Sequence, residues 1–377
     1  MASGAANNID SVRKFRGLSD LRYLRLERSA APVWVRLLIP LIAILISFLL
    51  TSILVLMANA NPIDAFYYLL IDPLTTSTSA LEVLVKATPL ILTGLAVMIA
   101  FVGGFFNIGA EGQFYAGAVA AAWLGVALKD APPLLAIPLI LIAGFAAGAL
   151  WALGPALLKI YLAVDEVVTT LLLNAVMVLG VSGLLTGPWK DPAGWARTPL
   201  ITDSLRLPRI APPSRLRAGF IVAVVILFAL WFVLARTGFG LKLRAIGLGP
   251  KAARFMGLEV RRTLLTAALI SGGIAGLAGV SEILGIQGRL NSQALELGYG
   301  YSGIVIAMLG GLNPIGVGIG ATFIALIESG SLGLSQALGL PQYLGDIVQA
   351  TILLTLLSSL LLANYRLRFR PDSAKGA

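Results

Sequence analysis

Apolar runs of about twenty residues recur along this chain, separated by short polar or glycine-rich stretches. A helix of about 20 apolar residues crosses a bilayer core of roughly 30 Å. Each run is predicted to be helical because lipid offers the backbone no hydrogen-bond partner. The pattern predicts about ten spans, at residues 34–58, 80–102, 112–128, 134–158, 167–186, 218–235, 263–284, 301–312, 314–333 and 345–363.

No linker or shift in composition separates a second domain, so we expect an all-α polytopic membrane protein. The membrane domain is predicted to cover residues 34–363. A tail of residues 1–33, with a surface helix at 18–29, precedes it, and a tail of residues 364–377 follows it. Small residues four apart within the spans favour close helix packing, and they lie at Gly144/Gly148, Gly272/Gly276 and Gly316/Gly320.

The lysines and arginines predict the orientation. With both tails in the cytoplasm, 19 of the 28 basic residues fall on the inner side, as the positive-inside rule expects. The loop 236–262 is then cytoplasmic. The loop 187–217 is extracytoplasmic, and its six prolines predict an irregular, exposed segment.

Composition excludes several functions. The chain is 58% hydrophobic and 12% charged, and it has neither histidine nor cysteine. Triads and metal sites that need those residues are therefore excluded, and we expect no catalytic residue and no metal site. The net charge is +10, and the basic residues that produce it lie beside apolar segments, which favours membrane lipid and not nucleic acid as the partner. No phosphate-binding G-x-x-x-x-G-K-[ST] motif occurs, so ATP would have to be hydrolysed by another chain.

Polar side chains inside the spans are the candidates for function, since charge is costly in the bilayer. The stretch FFNIGAEGQF (105–114) combines an acid and two amides with glycines, which predicts a broken or re-entrant segment with a polar lining. An internal capping network without solute contact is the alternative. Lys86 is expected to extend towards the interface. The predicted translocation pathway comprises Asn107, Glu111, Gln113, Asn174, Glu282 and Glu328.

The loop 236–262 holds seven basic residues and one acid. After Pro250, the sequence KAARFMGL predicts a short amphipathic helix. Such a helix suits either a groove on a soluble partner or the anionic surface of the membrane.

Four stretches together resemble one family: FNIGAEGQ (106–113), DEVVTTLLLN (165–174), LRAIGLGPKAARFMGL (243–258) and the segment 298–330. The chain is similar to the membrane permeases of bacterial ABC importers in the branched-chain-amino-acid and simple-sugar group. Within that group it most resembles the nucleoside-type permeases that work with a lipoprotein receptor.

The resemblance implies a multi-pass protein of the bacterial cytoplasmic membrane. It would pair with a second permease subunit, two ATP-binding-cassette subunits and an extracytoplasmic solute-binding lipoprotein. The chain itself would hold no cofactor, and ATP and Mg²⁺ would bind the ATPase subunits. The resemblance also implies an ATPase-coupling segment that contains Arg244, Gly247, Pro250, Lys251, Ala252, Ala253 and Gly257.

Two alternatives remain open at this point. In the first, the same importer machinery transports simple sugars or branched-chain amino acids. A secondary transporter driven by an ion gradient would instead use Glu111, Glu282 and Glu328 as ion or proton sites.

Overall fold

The structure is a computed structural model that describes residues 24–28, 33–191, 193–292, 297–339 and 343–369. Helices dominate the described residues. The α-helices are α1 (Val33–Met57), α2 (Pro62–Phe66), α3 (Asp72–Thr75), α4 (Ser77–Val102), α5 (Ala110–Ala127), α6 (Pro133–Leu162), α7 (Glu166–Thr186), α8 (Gly219–Arg236), α9 (Gly238–Leu248), α10 (Pro250–Phe255), α11 (Val260–Ser281), α12 (Tyr299–Leu309), α13 (Pro314–Leu338) and α14 (Tyr343–Asn364). Two π-helical turns, Tyr67–Ile71 and Glu282–Gln287, and one 3₁₀ turn, Asp203–Leu205, complete the described helical elements.

The chain divides into two compact units, one formed by Met1–Ile46 with Leu354–Ala377 and the other by Ser47–Leu353. In the first unit, strand β1 (Leu24–Arg28) pairs antiparallel with β2 (Tyr365–Phe369). The predicted surface helix at 18–29 is therefore wrong over residues 24–28, and its other residues lie outside the described part. The sequences LRLER and YRLRF alternate apolar and charged residues, which is the period of a strand.

The predicted spans fall on helices. Among the described residues, six helices are long and apolar enough to cross a membrane by length and composition: α4, α6, α7, α8, α11 with its π-helical turn, and α13. This confirms a predominantly helical, polytopic membrane protein, while the count of ten spans stays a prediction. Pro133 and Pro314 begin α6 and α13 at positions where a missing N–H costs nothing.

Helices α4 and α11 lie at the centre of the second unit. In the apolar window of α4, 89% of the residues are buried, compared with 17% in α7. Helix α4 packs against α11, α12 and α13, while α11 also contacts α5 and α6. Any polar side chain on the inner faces of α4, α5 and α11 must therefore find its partners within the protein.

Glycines allow α6 and α11 to touch backbone to backbone. A Cβ at Gly148 would clash with the carbonyl oxygen of Gly272, and a Cβ at Gly276 would clash with that of Gly144. The predicted role of these four small residues in close packing is confirmed.

The loop 187–217 is irregular, as predicted, but the expectation that it is exposed is wrong for part of it. Ile201, Leu205 and Leu207 are buried. The N–H of Ile201 donates to Gly288 O at 2.9 Å, and the N–H of Leu207 donates to Leu284 O at 3.1 Å. The loop covers the π-helical turn Glu282–Gln287 because its apolar side chains pack inwards while its backbone bonds to the free carbonyls there.

Candidate functional site

The sequence FFNIGAEGQF spans the end of a non-helical connection, residues 103–109, and the first turns of α5. Phe105 and Asn107 are buried in this connection, whereas Phe106 is half exposed. The prediction of a helix break at this point is confirmed. The N–H groups of residues 103, 104, 105 and 107 bond backbone carbonyls. The other three N–H groups, of Phe106, Ile108 and Gly109, bond side chains.

Two amides form the centre of the site. The Asn107 Nδ2 atom donates to Gln113 Oε1 at 2.8 Å and to Ser271 Oγ at 2.9 Å. In return, Asn107 Oδ1 accepts from Gln113 Nε2 at 3.0 Å and from the N–H of Gly109 at 2.9 Å. The Ser271 hydroxyl donates to Ala96 O at 2.6 Å. This chain of hydrogen bonds joins α4, the connection, α5 and α11.

Helix α7 holds the same connection from the other side, with side chains spaced four residues apart on one face. Glu166 Oε1 accepts from the N–H of Phe106 at 3.4 Å, and Thr170 Oγ1 accepts from that of Ile108 at 3.3 Å. Asn174 Oδ1 accepts from the N–H of Gly112 at 2.8 Å, and its Nδ2 donates to Ile108 O at 2.9 Å.

We call Glu166, Thr170 and Asn174 the α7 ladder. Its first member also pairs with Lys159 of α6, with 2.5 Å between Glu166 Oε2 and the Nζ atom. The DEVVTTLLLN stretch therefore fixes FNIGAEG in place. Sequence reasoning found Asn174 but missed Glu166 and Thr170, although their i, i+4, i+8 spacing was visible.

Glu111 caps the start of α12. Its Oε2 accepts from the N–H of Gly300 at 2.6 Å. The N–H groups of Gly298 and Tyr301 and the hydroxyl of Tyr115 are further partners of this carboxylate. A negative charge is favoured at a helix N-terminus, where four N–H groups lack intrahelical partners. Glu111 is thus fully engaged by the protein.

Glu328 on α13 lies apart from that network. Its side chain hydrogen-bonds Gln349 of α14, and the Nζ atom of Lys86 donates to the backbone carbonyl of Glu328 at 2.9 Å. The Lys86 ammonium is therefore held by a carbonyl of a neighbouring helix, and its extension towards the interface stays a prediction.

Glu282 opens the π-helical turn after α11. Its Oε1 accepts from Gln287 Nε2 at 3.1 Å, whereas its Oε2 is buried without a hydrogen-bond partner among the described residues. Of the six residues predicted for the pathway, the structure joins Asn107, Gln113, Asn174 and Glu111 around the start of α5, and it does not bond Glu282 or Glu328 to them. Contact of any of these six residues with solute stays a prediction.

The predicted coupling segment consists of two helices, α9 and α10. The short helix predicted after Pro250 is confirmed as α10, whereas α9 was missed. The inward positions Gly240, Leu243 and Ile246 are the helical signal that could have revealed it.

The seven coupling-segment residues differ in exposure. Ala253 is buried, and the Nη2 atom of Arg244 donates to Leu234 O at 2.7 Å at the end of α8. Exposed members of the segment are Arg244, Gly247, Pro250, Lys251, Ala252 and Gly257, the last with φ +79°. Leu248 is 90% and Phe255 93% exposed, so the segment presents large apolar side chains among basic ones.

Helix α9 touches the end of α4, where the buried connection begins. A Cβ on Gly247 would clash with the carbonyl oxygen of Val102, and a Cβ on Gly103 would lie 2.6 Å from Leu243 Cδ1. The surface formed by α9 and α10 is therefore in direct contact with the segment that the α7 ladder holds.

Comparison with known proteins decides the family. Residues 79–357 match the family model described as branched-chain amino acid transport system, permease component. The chain belongs to this family. The match covers α4 to α14, including the site and the coupling segment. No solved structure matches the chain.

Individual relatives match the greater part of this chain. It is 34% identical to a glucose ABC transporter permease of Haloferax volcanii, across 90% of this chain and 92% of the relative. It is 35% identical to a guanosine ABC transporter permease of Bacillus subtilis, across 88% and 95%. It is 32% identical to a nucleoside ABC transporter permease of Lactococcus lactis, across 84% and 90%.

Proposed function

We propose that this chain is the membrane permease subunit of an ABC importer and that its solute is a nucleoside. The observation that carries the proposal is the similarity to guanosine and nucleoside permeases over nearly the whole length of each. The chain forms the translocation pathway, and a separate cytoplasmic ATPase supplies the energy. The alternative of simple sugars has its support in the glucose permease of Haloferax volcanii.

The coupling surface supports an ATPase partner. Helices α9 and α10 expose Leu248 and Phe255 beside Lys251, a combination of apolar anchors and charge that suits a protein groove. Movement of α9 reaches the buried connection directly through Gly247 and Val102. A secondary transporter driven by an ion gradient works without an ATPase and would not need this surface.

The proposed topology has ten spans with both termini in the cytoplasm, which places α9 and α10 on the inner side. A second permease subunit, of this kind or a homologue, completes the pathway, and an extracytoplasmic lipoprotein delivers the solute. Membrane lipid surrounds the exposed apolar faces of α6, α7 and α8, for which burial within the protein is low.

The test is uptake of radiolabelled guanosine into proteoliposomes that contain the assembled transporter, its receptor and internal ATP. We expect uptake that requires ATP, is abolished by vanadate and ignores a proton or sodium gradient. Glucose is measured in parallel. Uptake by this chain alone under an ion gradient would refute the ABC assignment. Saturable uptake of glucose with no uptake of guanosine would show that the solute is a sugar and not a nucleoside.

A further inference from the structure

Three buried side-chain atoms lack a hydrogen-bond partner among the described residues: Trp151 Nε1, Arg206 Nε and Glu282 Oε2. Two of them lie at the π-helical turn that ends α11. Glu282 is the first residue of this turn, and Arg206 contacts the turn through an Nη2 donation to Ile286 O at 2.9 Å. An unpaired buried polar atom is costly and therefore needs an explanation in a native protein.

The remaining pathway candidates have no comparable free atom. Both polar atoms of the Asn107 and Gln113 side chains take part in the network, and Glu111 is engaged by α12. Glu282 alone keeps one oxygen bound, to Gln287, and one oxygen free, with 1% of its surface exposed. A carboxylate oxygen accepts hydrogen bonds and forms strong ones with hydroxyl and N–H donors.

The surroundings of Glu282 suit a solute site that opens and closes. Single π-helical turns inside helices occur frequently at functional sites. The loop 197–207 covers this turn through backbone hydrogen bonds to Leu284 and Gly288. Lifting this loop frees the carbonyls of Leu284 and Gly288, in the segment that follows Glu282.

We propose that Glu282 is a specificity-determining residue of the transporter, whose free Oε2 accepts a hydrogen bond from a hydroxyl or N–H group of the nucleoside once the loop 197–207 has lifted. This inference rests on the proposed function. The bond to Gln287 orients the carboxylate.

The test compares Glu282→Gln with the wild type in the complete transporter, reconstituted with its ATPase and receptor. The substitution keeps shape and an oxygen for Gln287 but turns the free acceptor into a donor. We expect the KM for guanosine uptake to rise about tenfold or more, the scale for leaving a buried hydrogen-bonding group without its partner. Thr322→Val is the matched control, because the Thr322 hydroxyl donates at 2.8 Å to Gly318 O of its own helix; its KM should be unchanged.

Inosine and 2′-deoxyguanosine each lack one donor group of guanosine. The analogue that lacks the group bonded to Glu282 should have the same KM in the wild type and in the variant, and this identifies the donor. An unchanged KM for all three nucleosides in the variant overturns the inference, even when the wild type imports them. A wild type that imports none of them overturns the proposed function instead. If Glu282→Gln does not assemble, Glu282→Asp is measured, and an unchanged KM with its shortened carboxylate likewise overturns the inference.

Discussion

Gly247 of α9 lies directly against the carbonyl group of Val102, the last residue of α4, with no room for a Cβ between them. This contact joins the surface proposed for the ATPase to the start of the buried connection.

Replacing Gly247 with Ala should therefore impair coupling. The added methyl group forces α9 away from α4, at a cost of about 1–3 kcal/mol, typical of overpacking. We expect ATP hydrolysis by the assembled transporter to continue while guanosine uptake falls. Gly238→Ala is the matched control, since a Cβ at Gly238 on the same helix meets nothing within 4 Å. Equal uptake in the two variants would contradict the role of the contact.

Lys251 and Arg244 should behave differently, although both were predicted to couple the ATPase. Both residues are exposed, but Arg244 also donates to the carbonyl of Leu234 at the end of α8. We expect Lys251→Glu to weaken ATPase binding without a change in thermal stability. Arg244→Glu should also lower stability, because α8 loses a C-terminal partner.

The measurement is co-purification of the ATPase together with a melting curve for each variant. Arg209→Glu, in the loop 187–217, is the control for a charge reversal at an exposed arginine elsewhere. Identical ATPase binding for Lys251→Glu and Arg209→Glu would contradict docking at α10.

Sequence patterning was sufficient for the long apolar helices and for the break at Asn107, because apolar length and glycine clusters are local signals. It was insufficient for the partners of Glu111 and Lys86, which lie on α12 and α13, far away in the sequence. The strand β1 was missed for a related reason. Its partner β2 is more than 300 residues away in the sequence. A short charged segment also resembles a surface helix unless the alternation of its apolar and charged residues is taken into account.

The ion pair between Lys159 and Glu166 should contribute more to stability than a fully exposed pair, because its carboxylate is buried. The Glu166 side chain is 5% exposed and also accepts from the N–H of Phe106. Glu166→Gln should therefore lower the free energy of unfolding by about 1–2 kcal/mol, and uptake should fall as the connection loosens. Glu259→Gln breaks the exposed pair with Arg262 and should cost almost nothing. Similar melting temperatures for the two variants would contradict the ladder.

Glu111 allows the structural role of the FNIGAEGQ stretch to be separated from a role in solute recognition. Its carboxylate is saturated by the N-terminus of α12 and by Tyr115, so no acceptor remains for a nucleoside. Glu111→Ala should reduce the amount of folded transporter, with a loss of about 1–3 kcal/mol for the orphaned N–H groups. The molecules that do assemble should keep the wild-type KM. A raised KM in a variant of normal stability would show instead that Glu111 contacts the solute, and the pathway would then pass the start of α12.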